Sequence, residues 1–527
     1  MKWLVGLGLG FILLLFMRDL AKPGLPMFHD SNPHISRMIA YHTALQDGQF
    51  PPMWAKEVLG GIGSPVMMLN YQLPYLLSEG FVRIGLSYFD SYKLVLALSF
   101  VLSGLLMYLA LRSKYGILAG WAGSLIYTLA PYRFVDIFVR GALGESLTFI
   151  FPPLLAWGYF RSSTSLLILG WAGLFLTHPI ASAVFSIFFL GYCLVVKKKF
   201  NWIAYTVAVM IAMFNLLPTL TLTKFTYYSP TLSDTLLMFP MLSQLIYSRW
   251  GYGVSLPGTA DGMSFAIGVT QWGVIITGLL LALKNKNLEL KYLVTTSMIG
   301  LFFILPISIP IYRLLHLTNF IDFPWRLIFF VIFVSAWMGA WLINQITKVS
   351  NKKFIVFGMT VVMIGMALPM AHTDKYWDKP LTWFVRETGD SYGEYTPRTR
   401  ATRDSAPFWE RAEFVRGTGE IKTLVEKSNW QRYLITANED SQVRINTAYF
   451  PGWIIPPNCF VTKRSLTHID DSGLIGCPVA KGESTLEIKF ESLPVQRVGN
   501  LITLAGIGIY LWILYRSFYP HITKKMQ

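Results

Sequence analysis

VMMLNYQLPYLLSEGFVRIGLSYFD, residues 66–90, has the length and apolar content of a bilayer crossing, and its reading fixes the side of the membrane on which every later loop falls. Pro74, Glu79 and Arg83 stand among its aromatic and aliphatic residues, a mixture that suits helices lying at the interface better than a span. Kept out of the bilayer, the stretch makes residues 21–92 one long first loop. Apolar runs of spanning length occur near 3–20, 94–111, 117–131, 145–160, 164–179, 180–196, 201–221, 264–283, 291–309, 327–346, 354–371 and 499–517. They predict about a dozen crossings. Under this parity the connections Arg112–Lys114, Arg161–Ser163, Lys197–Lys199, Lys284–Lys286 and Lys348–Lys353 and the Lys524–Lys525 tail share one side. All are basic, so the positive-inside rule assigns them to the cytoplasm together with both termini. Segments 21–92, 132–144, 222–263, 310–326 and 372–498 are then extracytoplasmic.

Composition agrees with a lipid-covered chain. Of 527 residues, 53% are hydrophobic and 14% charged, and the mean hydropathy is +0.46. The net charge of +16 comes largely from short basic loops, so it reads as membrane topology and not as nucleic-acid binding. Residues 1–20 carry Lys2, an apolar run and Arg18-Asp19 with no small-residue cleavage site, and read as a retained first span. Cys193 lies in an apolar run as a buried thiol, whereas Cys459 and Cys477 form one candidate external disulfide.

Residues 372–498 change character. Gly, Pro, Thr and charged residues rise, and alternation appears in Gln442-Val443-Arg444-Ile445 and Thr485 to Phe490, the pattern of strands with one buried face. The expected fold class is therefore a polytopic α-helical membrane protein with a small extracytoplasmic domain, mixed or mainly β. Its parts are a membrane domain over 1–371, the external domain over 372–498, and a last span with a basic tail over 499–527. No repeat or low-complexity tract interrupts this division.

Candidate site residues follow from polar groups in costly places. Asp30 lies in Met27-Phe28-His29-Asp30-Ser31-Asn32-Pro33-His34, before an amphipathic stretch that Pro33 and Asn32 can start and cap. Since Ser31 and Asn32 already supply capping oxygens, a chemical role for Asp30 is favoured over a second cap. His29 and His34 read either as ligands for a metal or substrate or as histidines at a helix start. Arg133, Arg140 and Glu145 lie near the hydrocarbon edge, where ionisable groups must be paired or used. Arg140 and Glu145 satisfy this as an ion pair closing a turn, or, with Gly141 and Gly144, as part of an anion site. His178 in Thr177-His178-Pro179 reads as a helix cap first and a cavity residue second. Arg249 and Arg326 stand beside aromatics in Tyr247 to Gly253 and Phe323 to Arg326, as interfacial anchors or as forks for a lipid phosphate. No P-loop, Gly-x-Ser-x-Gly, His-Glu-x-x-His or Cys-x-x-Cys pair occurs.

The layout resembles the GT-C class of membrane glycosyltransferases, with a first span and a long external loop bearing an acidic residue near its start. The His29 to His34, Asn70 to Pro74, Arg140 to Glu145, Phe323 to Arg326 and Tyr449 to Trp453 segments look like those of bacterial YfhO-type proteins and of the membrane family labelled 6-pyruvoyl-tetrahydropterin synthase-related. That label implies no pterin chemistry here. The resemblance implies transfer of a sugar from a polyprenyl-phosphate donor to a glycan, lipid or protein acceptor at the external face of the plasma membrane. Asp30 would be the general base of an inverting reaction, Arg140 would offset charge on the departing phosphate with Arg133 or Arg326 as further candidates, and Glu145 would orient Arg140. Any divalent cation, Mg or Mn, would fall to Asp30, His34 and Glu145, although the first loop lacks the acidic pair of better known members. A transporter or lipid flippase, and a non-catalytic envelope scaffold that uses Tyr449 to Trp453 as a binding patch, are the competing readings.

Overall fold

The computed structural model describes residues 2–227, 237–256, 261–384, 395–400, 410–463 and 473–518. The chain is a helical membrane protein with a separate β-rich region. Each apolar run of the sequence coincides with helix, from Lys2–Phe16 at the start to Pro494–Phe518 near the end. The expected number of crossings needs correction. Among the described residues, five helices are long and apolar enough to span a membrane: Tyr88–Tyr115, Trp202–Phe225, Pro324–Gln345, Val349–Met370 and Pro494–Ser517. A sixth is added if Leu288–Ile304 and Pro306–Leu314, bent by 84°, count as one. Helices such as Ile117–Thr128 fall short, because 12 residues rise only about 18 Å against a hydrocarbon thickness of about 30 Å. Proline sets several of these limits. Ala130 before Pro131 and His178 before Pro179 take extended backbone, ending runs whose hydropathy continues. The Lys524–Lys525 tail lies outside the described residues.

Residues 66–90 form two short helices, Val66–Leu69 and Leu73–Arg83, before the long Tyr88–Tyr115 helix starts at the Ser87 cap. Leu73–Arg83 has 11 residues and buries Glu79 between His42 and Arg83, so it does not have the form of a span.

The loops assigned to one side by sequence converge at one end of the helices. β1 (Leu25–Pro26) pairs antiparallel with β2 (Tyr376–Trp377), and the Asp19 carboxylate accepts from both the backbone and hydroxyl of Thr373 at 2.7 and 2.6 Å. His29 reaches the carbonyl of Tyr252, and Thr226 forms a bridge with Pro397. The basic connections gather at the other end. There the Lys114 ammonium pairs with Glu289, hydrogen-bonds the Tyr192 hydroxyl, and lies 4.9 and 5.6 Å from the Phe160 and Trp337 rings. Lys198 donates to the Tyr159 carbonyl, and Asn201 to Thr164, at that same end.

The β-rich region consists of two four-stranded antiparallel sheets. Its strands are β3 (Ala412–Arg416), β4 (Gly419–Glu426), β5 (Trp430–Ala437), β6 (Ser441–Ala448), β7 (Trp453–Ile454), β8 (Phe460–Val461), β9 (Leu474–Val479) and β10 (Gly482–Phe490), in orders β4-β5-β10-β7 and β3-β6-β9-β8. β5 alternates between buried and accessible residues, as one-sided strands do. β6 is covered on both faces over most of its length, including Arg444, whose guanidinium is tied to Glu413 and Asn446. Cys459 and Cys477 are joined as a disulfide, and Cys193 is a buried free thiol. The first loop is part of this region's core. Trp54 is fully buried against Phe450, Trp453 and Phe490, and Ala448 donates to the Ile62 carbonyl at 2.8 Å. Phe450 and Trp453 are thereby core residues of a turn at Gly452, not a free binding patch.

Glu289 is the acceptor that Lys114, Tyr115 and Trp337 share. Glu289→Ala is expected to destabilise the protein by up to about 3 kcal/mol, because it strands a cation among aromatic rings. Adding Lys114→Met should recover most of that loss in thermal melts. A double variant no more stable than the single would show that the pair does not hold this end together.

Candidate functional site

Asp30 and Arg140 meet where the first loop crosses the connection between two helices. Residues Pro131–Phe134 form one helical turn, and Val135–Arg140 continue as a π-helix, a wide turn common at functional positions. Gly141 ends it with φ +63°, and a Cβ there would stand 2.7 Å from the Phe28 ring. That left-handed turn brings the Val139 and Arg140 carbonyls to the first loop, where they accept from the backbone N–H groups of His29 (3.1 Å) and Asp30 (2.9 Å). The Tyr92 hydroxyl donates to the Gly141 carbonyl at 2.7 Å. At Gly144 a Cβ would meet the Tyr71 ring at 2.6 Å, so the second glycine serves close packing.

Asp30 occupies the N-cap position of the Ser31–Gln46 helix, yet its side chain makes no capping hydrogen bond. Its carboxylate is 25% exposed and lies 4.0 Å from the Arg140 guanidinium. Behind it, Arg140 is buried and bound on one edge. Nη1 donates to Asp136 at 2.9 Å and to Glu145 at 2.6 Å, while Nη2 faces Asp30. Glu145 also accepts from the Tyr132 hydroxyl, and Arg326 Nε stands 3.6 Å away with no hydrogen-bond partner. Three arginines, Arg133, Arg140 and Arg326, thus face four carboxylates, Asp30, Asp136, Glu145 and Asp322. Aromatic surfaces border the group: Arg140 lies 4.7 Å from the Trp325 ring, Arg326 4.5 Å from that of Phe323, and Tyr71 stacks on Tyr75.

Several residues singled out in the sequence occupy other roles. Arg133 is fully buried 4.0 Å from the Phe149 ring centre, pairs with Asp136 and donates to Ser99, so no ligand reaches it. Arg249 is exposed on its loop and, among the described residues, no ion pair joins it to the cluster. His178 caps the Pro179–Val195 helix by accepting from Ala181 at 3.4 Å, and lies within electrostatic reach of Glu145 and Arg326. His29 is spent on the Tyr252 carbonyl at 3.1 Å. His34 is buried with both nitrogens engaged: Nε2 accepts from the Leu143 N–H, so Nδ1 carries the proton and donates to the Tyr75 hydroxyl at 3.0 Å. That leaves no lone pair for a metal. Among the described residues no group of three His, Cys, Asp or Glu side chains is arranged to hold a metal ion. Asp136, unassigned in the sequence although four residues before Arg140, proves to be a central partner. Burial, then the nearby Glu145 charge, pushes it up to about 7 against the pull of Arg140 and Arg133. Asp322, 3.8 Å from Arg326, was equally unmarked.

A comparison with protein-family models and with the curated proteins found no match for this chain.

His34 carries a pH signature. Burial, reinforced by the Arg37 and Arg140 charges, holds its imidazole well below the usual histidine range. The folded state therefore keeps it neutral while the unfolded chain binds a proton below about pH 6.5. Stability from this residue is present above that pH and falls as pH drops, by up to about 1.4 kcal/mol per unit. Melts between pH 7.5 and 5.5 should show a shallower acid-side decline for His34→Gln than for wild type. Equal slopes would remove His34 from the pH dependence.

Proposed function

We infer that this chain is a membrane glycosyltransferase that moves a sugar from a polyprenyl-phosphate carrier to an acceptor at the extracytoplasmic face of the plasma membrane. The observation that carries the reading is the Asp30 carboxylate: it sits at a helix cap without capping, is partly open, and is held opposite an arginine whose other edge is saturated. A carboxylate so placed can accept a proton from an acceptor hydroxyl as that oxygen attacks the anomeric carbon. Attack opposite the leaving phosphate gives inversion. Arg326 is the better phosphate contact than Arg140, since its side chain is 19% exposed against 6% for Arg140. Arg140 then positions Asp30, and Glu145 positions both arginines. Trp325, Phe323 and Tyr71 offer faces for a sugar ring or the carrier's apolar end. A divalent cation has no role in this proposal.

The proposed topology has five or six full-length spans with the shorter apolar helices packed among them, and both termini cytoplasmic. Convergence of the non-basic loops at one end and the basic ones at the other supports it.

One observation favours transport instead. Leu288–Ile304 and Pro306–Leu314 form a helix pair broken by 84°, as substrate-coupled transporters often contain. The break coincides with Pro306, which has no N–H to donate and explains the bend locally.

The test is sugar release and transfer from radiolabelled polyprenyl-phosphate sugars by purified protein in lipid nanodiscs. Asp30→Asn is expected to lower turnover by about 10² to 10⁴, and Arg326→Ala by about 10² to 10³. Undiminished turnover in Asp30→Asn would eliminate it as the base. No turnover with any donor, together with solute or lipid flux in proteoliposomes, would establish transport in its place.

A further inference from the structure

A polar cavity lies at the far end of the helix that Asp30 begins. It has a volume of about 200 Å³ and is lined by Asp47, Lys427, Asn429, Trp430, Lys489, Phe490 and Glu491, at the seam between the first loop and the β-rich region. This is below the roughly 300–1,000 Å³ of sites that enclose a drug-sized molecule, so it admits one small ring or one unit of a longer chain. Its walls are fixed from both sides. The Ser428 N–H donates to Asp47 at 2.6 Å, and Gln49 donates to the Ser428 hydroxyl at 2.7 Å, so the two parts of the chain share a rigid edge. Asn429 is tied to the sheet through its backbone: its carbonyl accepts from the Phe490 N–H at 2.8 Å. The Asn429 side-chain amide lines the cavity beside Trp430. Trp430 supplies a flat apolar surface. Its indole N–H is bound to Glu487 at 3.0 Å, which fixes the ring plane, and Lys489 lies 4.8 Å from its centre. Phe50, three residues beyond Asp47, is 84% exposed.

The rim alternates ammonium donors, carboxylate acceptors and an amide around one aromatic ring. Adjacent hydroxyls, each donor and acceptor at once, match such a rim, and the apolar C–H face of a sugar ring matches the indole. The position adds a length. The Ser31–Gln46 helix runs between Asp30 and Asp47 and has 16 residues, which places the cavity about 24 Å from the candidate base. Resting on the transferase reading above, we propose that this cavity is a subsite for the acceptor, and that the acceptor is an extended saccharide whose remote unit docks on Trp430 while its terminal hydroxyl reaches Asp30.

The experiment is saturation-transfer NMR on the full-length protein in nanodiscs, with maltohexaose and a uronate-containing hexasaccharide as probes and a Gly-Ser-Asn hexapeptide as comparison. Wild type is expected to bind a hexasaccharide. Trp430→Ala and Asn429→Ala should each weaken it about tenfold, the loss of one stacking or hydrogen-bonding group. Asn429→Ala keeps the backbone bond to Phe490, so its result stands even if Trp430→Ala misfolds. No saccharide binding, binding unchanged in the folded variants, or a signal from the peptide alone overturns the subsite. Because binding is read without turnover, Asn429-dependent binding by a protein that never uses a donor would defeat the transferase reading alone, and turnover without saccharide binding would defeat the subsite alone.

Discussion

A buried guanidinium cannot stand unpaired, and the arrangement around Arg140 follows from that constraint. Its charge draws Asp136 and Glu145 into the interior, and these in turn require Arg133, Tyr132, Ser146 and Arg326. Hydrogen bonds satisfy most of the remaining oxygens, so the group closes as a network instead of an isolated pair. The π-helical turn that carries Arg140 also exposes two carbonyls to the first loop. Through them the placement of Asp30 is tied to the same charge, although Asp30 itself touches little.

Much of the fold was legible in the sequence because hydropathy reports burial directly. The runs that became helices, the non-spanning character of residues 66–90, the β character beyond residue 410 and the Cys459–Cys477 pairing all have local signatures. Span length was not legible, since apolar residues continue past the points where Pro131 and Pro179 stop the helix. In the site, Asp30, Arg140, Glu145 and Arg326 were recognisable by their cost near lipid. Asp136 carried the same signal, four residues before Arg140, but a stretch of sequence does not tell that one arginine will bind two acids at once. Arg133 and Arg249 were indistinguishable from ligands by residue type. Only packing separates a guanidinium sealed against Phe149 from one left at the surface.

The Lys114–Glu289 group at the opposite end shows the same physics with a different result. There a single ion pair is bordered by Tyr115, Phe160, Tyr192 and Trp337, with the Lys114 side chain still 27% exposed. Its role is to join helices that are distant in sequence. The two charged clusters therefore differ in composition more than in exposure: one carboxylate satisfies Lys114, whereas Arg140 is held by Asp136 and Glu145 with Asp30 at its remaining edge.

Trp54 has a consequence for how the molecule is made. Its pocket consists of Phe450, Trp453 and Phe490, and the neighbouring Gln49–Ser428 bond spans 379 residues of sequence. During synthesis the first loop emerges long before the strands that cover it, so a large indole waits uncovered while most of the helices are inserted. The early loop is thus a client for whatever protects nascent chains on that side of the membrane, and a chain that stops short of β10 would present it permanently as a mark of incompleteness.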